Sequence, residues 1–192
     1  MKTVEMIGQI IGFIGTVLII ISFQFKKPRT LILVQCSAQI CFTIHYMMIG
    51  SYAGGVQNAL AVLRAGCIMS GNKKLRSNAA KWVFMLLFLF SPMLFMFEGG
   101  FEPIKLLDFL PGIGMFINTY YIWNEPGVGL RRSQLYVVSP LWITYNAINR
   151  SYPGILTEVF NALSSLIFLL RIRRDKKTAA KGQPPENGKE QE

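Results

Sequence analysis

From residue 6 to residue 170 the chain alternates apolar runs of about 17–20 residues with short polar or basic links. A run of that length, wound as a helix rising 1.5 Å per residue, crosses about 30 Å of hydrocarbon. In lipid the backbone must satisfy its own N–H and C=O groups, and for segments this long that leaves the α-helix. Composition agrees. Hydrophobic residues make up 52% of the chain and charged ones 16%, against about 25% charged in soluble domains. A secreted domain, a nucleic-acid binder and a cytosolic enzyme are excluded, and a polytopic membrane protein is expected.

Windows of about 19 residues give seven helices, at 6–25, 30–49, 52–70, 82–97, 103–123, 133–149 and 152–170. The first reads as an anchor and not a cleaved signal, because its positive charge follows the apolar stretch and no small-residue cleavage site ends it. From Arg171 the charged Pro/Gly/Gln/Glu-containing end cannot bury a core and is expected to be disordered. Cys36, Cys41 and Cys67 lie within apolar runs without metal-ligand or redox spacing, and read as packing residues.

The formal net charge of +10 is explained by sidedness. With seven crossings, one side collects Lys26, Lys27, Arg29, Lys73, Lys74, Arg76, Lys81, Arg131, Arg132 and every basic residue from Arg171 onward. The other side holds only Lys2, Lys105 and Arg150, and Arg64 lies within a helix. By the positive-inside rule the amino terminus is outside and the carboxyl terminus cytoplasmic. The tail is expected to lie near anionic headgroups.

A hundred-residue shift lays helices one to three on helices five to seven without a gap. Gly12 meets Gly112, Phe42 meets Trp142, His45 meets Tyr145, and Ser51-Tyr52-Ala53-Gly54 meets Ser151-Tyr152-Pro153-Gly154. One helix separates the triplets, so they are parallel repeats about an axis along the membrane normal. The expected fold is all-α with a 3+1+3 order. The first triple-helix repeat is 1–70, the basic loop and linker helix 71–100, the second repeat 101–174, and a disordered charged cytoplasmic tail 175–192.

The run His45-Tyr46-Met47-Met48-Ile49-Gly50 leading into Tyr52-Ala53-Gly54-Gly55, with Gly154-Ile155-Leu156-Thr157-Glu158 leading to Arg171, resembles the YgjV family of small bacterial inner-membrane proteins. More broadly the chain resembles the SWEET, PQ-loop and PnuC-like seven-helix superfamily. The resemblance implies an inner-membrane location and transport of a sugar or vitamin-precursor-like solute by rocking of two bundles. The sugar-transporting relatives carry a hinge proline in the first helix of each repeat. Here helix one has none, while Pro111 lies in helix five and Pro140 in helix six.

A charged group in hydrocarbon costs about 2.5–3.5 kcal/mol on insertion scales, so His45, Arg64, Asp108 and Glu158 each need a reason. His45, Asn58, Asp108, Tyr145, Asn146 and Glu158 fall in the outer half of the bilayer. Glu158, Asn161 and Ser165 share a helix face. A polar vestibule for a small hydroxylated or cationic solute would use such donors and acceptors. Its candidate binding residues are Asn58, Glu158, Asn161, His45, Tyr145 and Asn146. Taken singly, Gln35, Gln39, Asn58 and Asn161 also fit plain interhelical hydrogen bonding. Arg64 lies about 9 Å deeper than Glu158, so it is expected to snorkel toward the inner interface. Asp108 is expected at the outer interface. Gly8, Gly12 and Gly15 form a packing stripe, Tyr120, Tyr121 and Trp123 an inner aromatic belt, and helix four a lipid-facing linker broken at Ser91-Pro92.

HExxH, GxSxG and phosphate-loop motifs do not occur, so neither catalysis nor a metal or other cofactor is expected. The partners expected are the lipid bilayer and a small polar solute, without nucleic acid. The alternative function is a non-transporting receptor, chaperone or assembly protein built on the same fold.

Overall fold

A computed structural model describes residues 3–25, 27–96 and 103–180. All regular structure among them is helical: α1 (Thr3–Ser22), α2 (Pro28–Met48), α3 (Tyr52–Met69), α4 (Asn78–Phe90), the short α5 (Met93–Met96), a 3-10 segment (Pro103–Asp108), α6 (Phe109–Asn124), α7 (Val128–Ser133), a π-helical stretch (Gln134–Val138), α8 (Ser139–Ile148) and α9 (Tyr152–Ala180). The chain runs from α7 through the π stretch into α8 without a break. Thr3–Ser22, Arg29–Met48, Asn78–Phe95 and Tyr152–Thr178 are long and apolar enough to cross a membrane.

Local chemistry sets the ends. α2 begins where Pro28, which lacks an N–H, occupies the first turn. It ends in a turn where Gly50 takes φ +80° and Ser51 N–H reaches back to Tyr46 O (2.8 Å). α8 ends in the same way: Ser151 N–H reaches Asn146 O (2.9 Å), and Arg150 takes φ +53° where the first turn has glycine. Ser77 caps α4 by accepting from Ala80 N–H (3.2 Å).

Several boundaries differ from expectation. The fourth helix starts earlier, at Asn78, while its break falls at Ser91-Pro92 as expected. The fifth is a 3-10 segment until Asp108, and its α-helical part places Pro111 in the first turn, where a missing N–H costs nothing. The expected disordered tail is corrected in part: α9 continues as helix through Arg171 to Ala180. No Gly or Pro lies between Gly154 and Gly182, and Arg, Lys and Ala there are good helix formers. Residues 181–192 lie outside the described residues.

The contacts close a ring. α1 packs on α2 and α9, α2 on α3, α3 on α6, α6 on the α7–α8 rod, and α8 on α9, while α4 sits outside against α6 and α3. At the seam of α1 with α2 and α9 the approach is close. A Cβ on Gly12 would stand 2.5 Å from Pro153 and 2.9 Å from the His45 ring.

Polarity is inverted relative to a soluble protein. Val4, Ile7, Ile10, Ile14 and Val17 of α1 face outward, as do Trp82, Val83 and Leu86 of α4 and Leu163, Leu166 and Ile167 of α9. Thr16, Gln57, Arg64, Thr119 and Asn146 are buried. Lipid solvates the first set; the second must find partners inside.

Candidate functional site

A cavity of about 350 Å³ occupies the middle of the ring, within the size range of small-molecule sites. All the ring helices contribute to its wall. It extends from Tyr46, Asn146 and Gly154 toward Phe23, Leu31 and Arg131 at the end where the basic links lie.

The opposite end is closed by hydrogen bonds between the α1–α3 half and the α8–α9 half. His45 is fully buried, with Nδ1 2.8 Å from Gly8 O and Nε2 2.7 Å from Ser151 Oγ. A carbonyl only accepts, so Nδ1 carries the proton and Nε2 accepts from the Ser151 hydroxyl. Tyr145 is also fully buried; its hydroxyl accepts from Gly54 N–H (2.9 Å) and faces Ser51 O at 3.5 Å. Tyr46 donates to Asn146 Oδ1 (2.7 Å), and Ser51 donates to Asn149 Oδ1 (2.7 Å). Gln9 donates to Arg150 O (2.8 Å), and Thr16 and Thr157 join hydroxyls at 2.8 Å.

The predicted residues therefore fall into two groups. Asn58, Asn146, Glu158 and Asn161 line the cavity. His45 and Tyr145 lie in the closed end, each committed to bonds with the other half. Asn58 donates to Gly54 O of its own helix (2.9 Å). Asp108 directly precedes α6. Ser165 is buried but is not part of the wall. Tyr120, Tyr121 and Trp123 lie near the basic end, where Trp123 donates to Arg76 O (3.2 Å).

Glu158 is supplied with neutral donors. Its Oε2 accepts from Ser139 Oγ (2.8 Å) and Gln134 Nε2 (3.2 Å), and its Oε1 faces Asn161 Nδ2 at 3.4 Å. Gln134 Nε2 also donates to Ser139 Oγ (2.9 Å), which directs the serine proton toward the carboxylate. Gln134 opens the π stretch and Ser139 directly follows it, and the widened turn between them closes with Ser139 N–H on Gln134 O. Pro140 follows immediately. It offers no N–H to Tyr136 O, and its ring would crowd that carbonyl in a regular helix.

Arg64 corrects the snorkelling expectation. It is 5% exposed, donates to Thr119 Oγ1 (2.6 Å), and lies over the Phe88 ring at 5.1 Å. Its neighbours on α6 and α4 receive it sideways, and its residue forms part of the cavity wall. Gln35, Gln39, Asn118, Arg131, Gln134 and Trp142 also line the cavity and were not among the predicted binding residues. Arg131 stands at the basic end over Phe23 and Phe168, at 5.8 and 5.4 Å.

Residues 6–176 match the Imp-YgjV family, described as bacterial inner membrane protein. No curated protein matches the chain, and no solved structure does.

Proposed function

Because the chain belongs to the Imp-YgjV family of bacterial inner membrane proteins, we propose that it is a small-solute transporter or facilitator whose path is the central cavity. In this reading it crosses the membrane seven times, with α7, the π stretch and α8 making one crossing. The amino terminus is outside and the carboxyl terminus cytoplasmic. The α1–α3 and α6–α9 triplets are parallel repeats of SWEET-like type, and α4 joins them.

Reciprocity supports the repeats. The first helix of each triplet packs on its own second helix and on the third helix of the other triplet. His45 of one half meets Ser151 of the other, and the matching Tyr145 meets Ser51. Tyr46 pairs with Asn146, its own counterpart, and so sits on the approximate twofold axis.

One observation carries the transport reading. The cavity lies between the halves, and at its Ser51/Ser151 end the halves are joined by hydrogen bonds instead of continuous chain. Bonds of this kind in membranes average about 0.6 kcal/mol each, weak enough to exchange as one half rocks against the other. With the basic end cytoplasmic, the conformation is inward-facing. Asn58, Asn146, Glu158 and Asn161 face the solute, while His45 and Tyr145 hold the outer closure.

The test is thiol accessibility. Asn118 lines the cavity and is half-buried, so Asn118→Cys in a background without Cys36, Cys41 and Cys67 reports access. Alternating access predicts labelling by an impermeant maleimide from the cytoplasmic side in inverted vesicles. It also predicts slower labelling from outside, accelerated when Tyr46→Phe and Ser151→Ala weaken the closure. Labelling from the cytoplasmic side alone, unchanged by those substitutions, would favour the non-transporting receptor or assembly protein.

A further inference from the structure

We propose that the cavity takes a small soluble organic anion, bearing a carboxylate or phosphate, whose charge is met by Arg64. The inference deepens the reading of this cavity as a solute site and rests on it. Arg64 is an always-charged group, 5% exposed, on the wall of a space about 350 Å³ in volume. Its bonded partner is the Thr119 hydroxyl and its stacked partner the Phe88 ring. Among the described residues no carboxylate meets it, although a guanidinium has five N–H donors arranged to grip an oxyanion. A buried cation in that condition lacks compensation.

The acid on the same wall does not supply it. Glu158 takes its donors from Ser139, Gln134 and Asn161. A second, independent observation points into the same space. Asn146 is fully buried and lines the cavity, and its Nδ2 has no partner among the described residues. That donor calls for a ligand acceptor, as an anion's oxygen or a hydroxyl beside it would provide. Arg131 at the basic end of the same wall adds a second positive charge along the approach, so the charged side chains of the lining are two guanidiniums and one carboxylate. A cationic solute would meet that balance unfavourably. Trp142, Phe42 and the amides of Gln35 and Gln39 can cover the ligand's body.

The experiment is thermal unfolding of the full chain, purified in neutral detergent, against paired probes at matched ionic strength. Benzoate is set against benzamide and gluconate against glucose, and formate, acetate and inorganic phosphate are added. The proposal expects the anion of at least one pair to raise the unfolding midpoint while its neutral twin does not. Arg64→Gln should weaken that anion's binding by about 30-fold or more, and Arg132→Gln, an exposed residue outside the cavity wall, should leave it unchanged. Arg64→Gln without ligand should unfold at a higher temperature than the native chain, because it removes an uncompensated charge.

Equal stabilisation by neutral twins, undiminished in Arg64→Gln, would overturn the anion while leaving the cavity a solute site. Failure of every anion to raise the midpoint would overturn it too. So would stabilisation confined to nanodiscs of phosphatidylglycerol relative to phosphatidylcholine, which would assign the charge to lipid headgroups. The labelling of Asn118→Cys from the two sides is a separate readout, so failure of transport and failure of the anion are told apart.

Discussion

The Tyr46 hydroxyl donates to Asn146 Oδ1 across 2.7 Å, joining α2 to α8 at the point where the cavity closes. Both side chains are buried, at 2% and 0% exposure, and both stand on the cavity wall. Tyr46→Phe keeps the ring and its packing near Trp142 and Tyr145 while leaving Asn146 Oδ1 without its donor. The expected loss is about 0.6–1.7 kcal/mol, the range from average to largest for interhelical bonds in membranes. A double-mutant cycle with Asn146→Leu in detergent measures the coupling. A coupling near zero would remove this pair from the closure.

Arg150 and Gly50 close the two matching turns, yet only glycine takes a positive φ without steric cost. At φ +53° an L-residue carries a penalty of about 1–2 kcal/mol. The Arg150 side chain is exposed, and its bond from Gln9 is made by the carbonyl, which glycine also has. Arg150→Gly is therefore expected to stabilise by about 1 kcal/mol, read as a higher unfolding midpoint. A lower midpoint would mean that the Arg150 side chain contributes more than the turn costs.

Two helical glycines should respond oppositely to a methyl group. At Gly12 a Cβ would press on Pro153 at 2.5 Å and on His45 at 2.9 Å, and the ring of His45 is fixed at both nitrogens. Gly12→Ala should cost about 1–3 kcal/mol by overpacking and loosen the His45–Ser151 bond. At Gly66 nothing lies within 4 Å of the added atom, so Gly66→Ala should gain up to about 1 kcal/mol of helix propensity. Unfolding midpoints of the two variants, measured together, check both signs.

Much of this architecture is legible from run lengths and turn residues. α2 and α3 begin and end within a few residues of the apolar windows, because Pro28 and Gly50-Ser51 punctuate the sequence there. The shared Ser-Tyr-x-Gly also marks two turns that form the same backbone bonds. What counting depth could not supply is direction around a helix. Depth along the helix relates Arg64 only to Glu158 and the interface, but its partners are Thr119 and Phe88 on helices distant in sequence. A useful signal was present: Arg64 is the only Lys or Arg inside an apolar run away from the links. Likewise, no periodicity reveals that His45 spends both nitrogens on Gly8 and Ser151. The π stretch was hidden because its residues read as ordinary helix; only Pro140 hinted at a disturbance.

Pro140 stands at the start of α8, directly after the π stretch and Ser139. The proline denies Tyr136 O its usual donor and crowds it, and the chain answers with a widened turn closed by Ser139 N–H on Gln134 O. That turn aims Gln134 at both Ser139 and Glu158. Pro140→Ala restores the N–H and removes the ring, so the stretch can tighten into regular α-helix. Tightening turns the residues before it by roughly 100° per residue of register, carrying Gln134 away from Glu158 and moving Arg131 at the basic end. The stability of the helix should rise while the cavity wall is disturbed. Anion binding and Asn118→Cys labelling should therefore fall in a variant with an unchanged or higher unfolding midpoint. If Pro140→Ala leaves both readouts as in the native chain, the π stretch is set by its packing on α6 and α9 instead of by the proline.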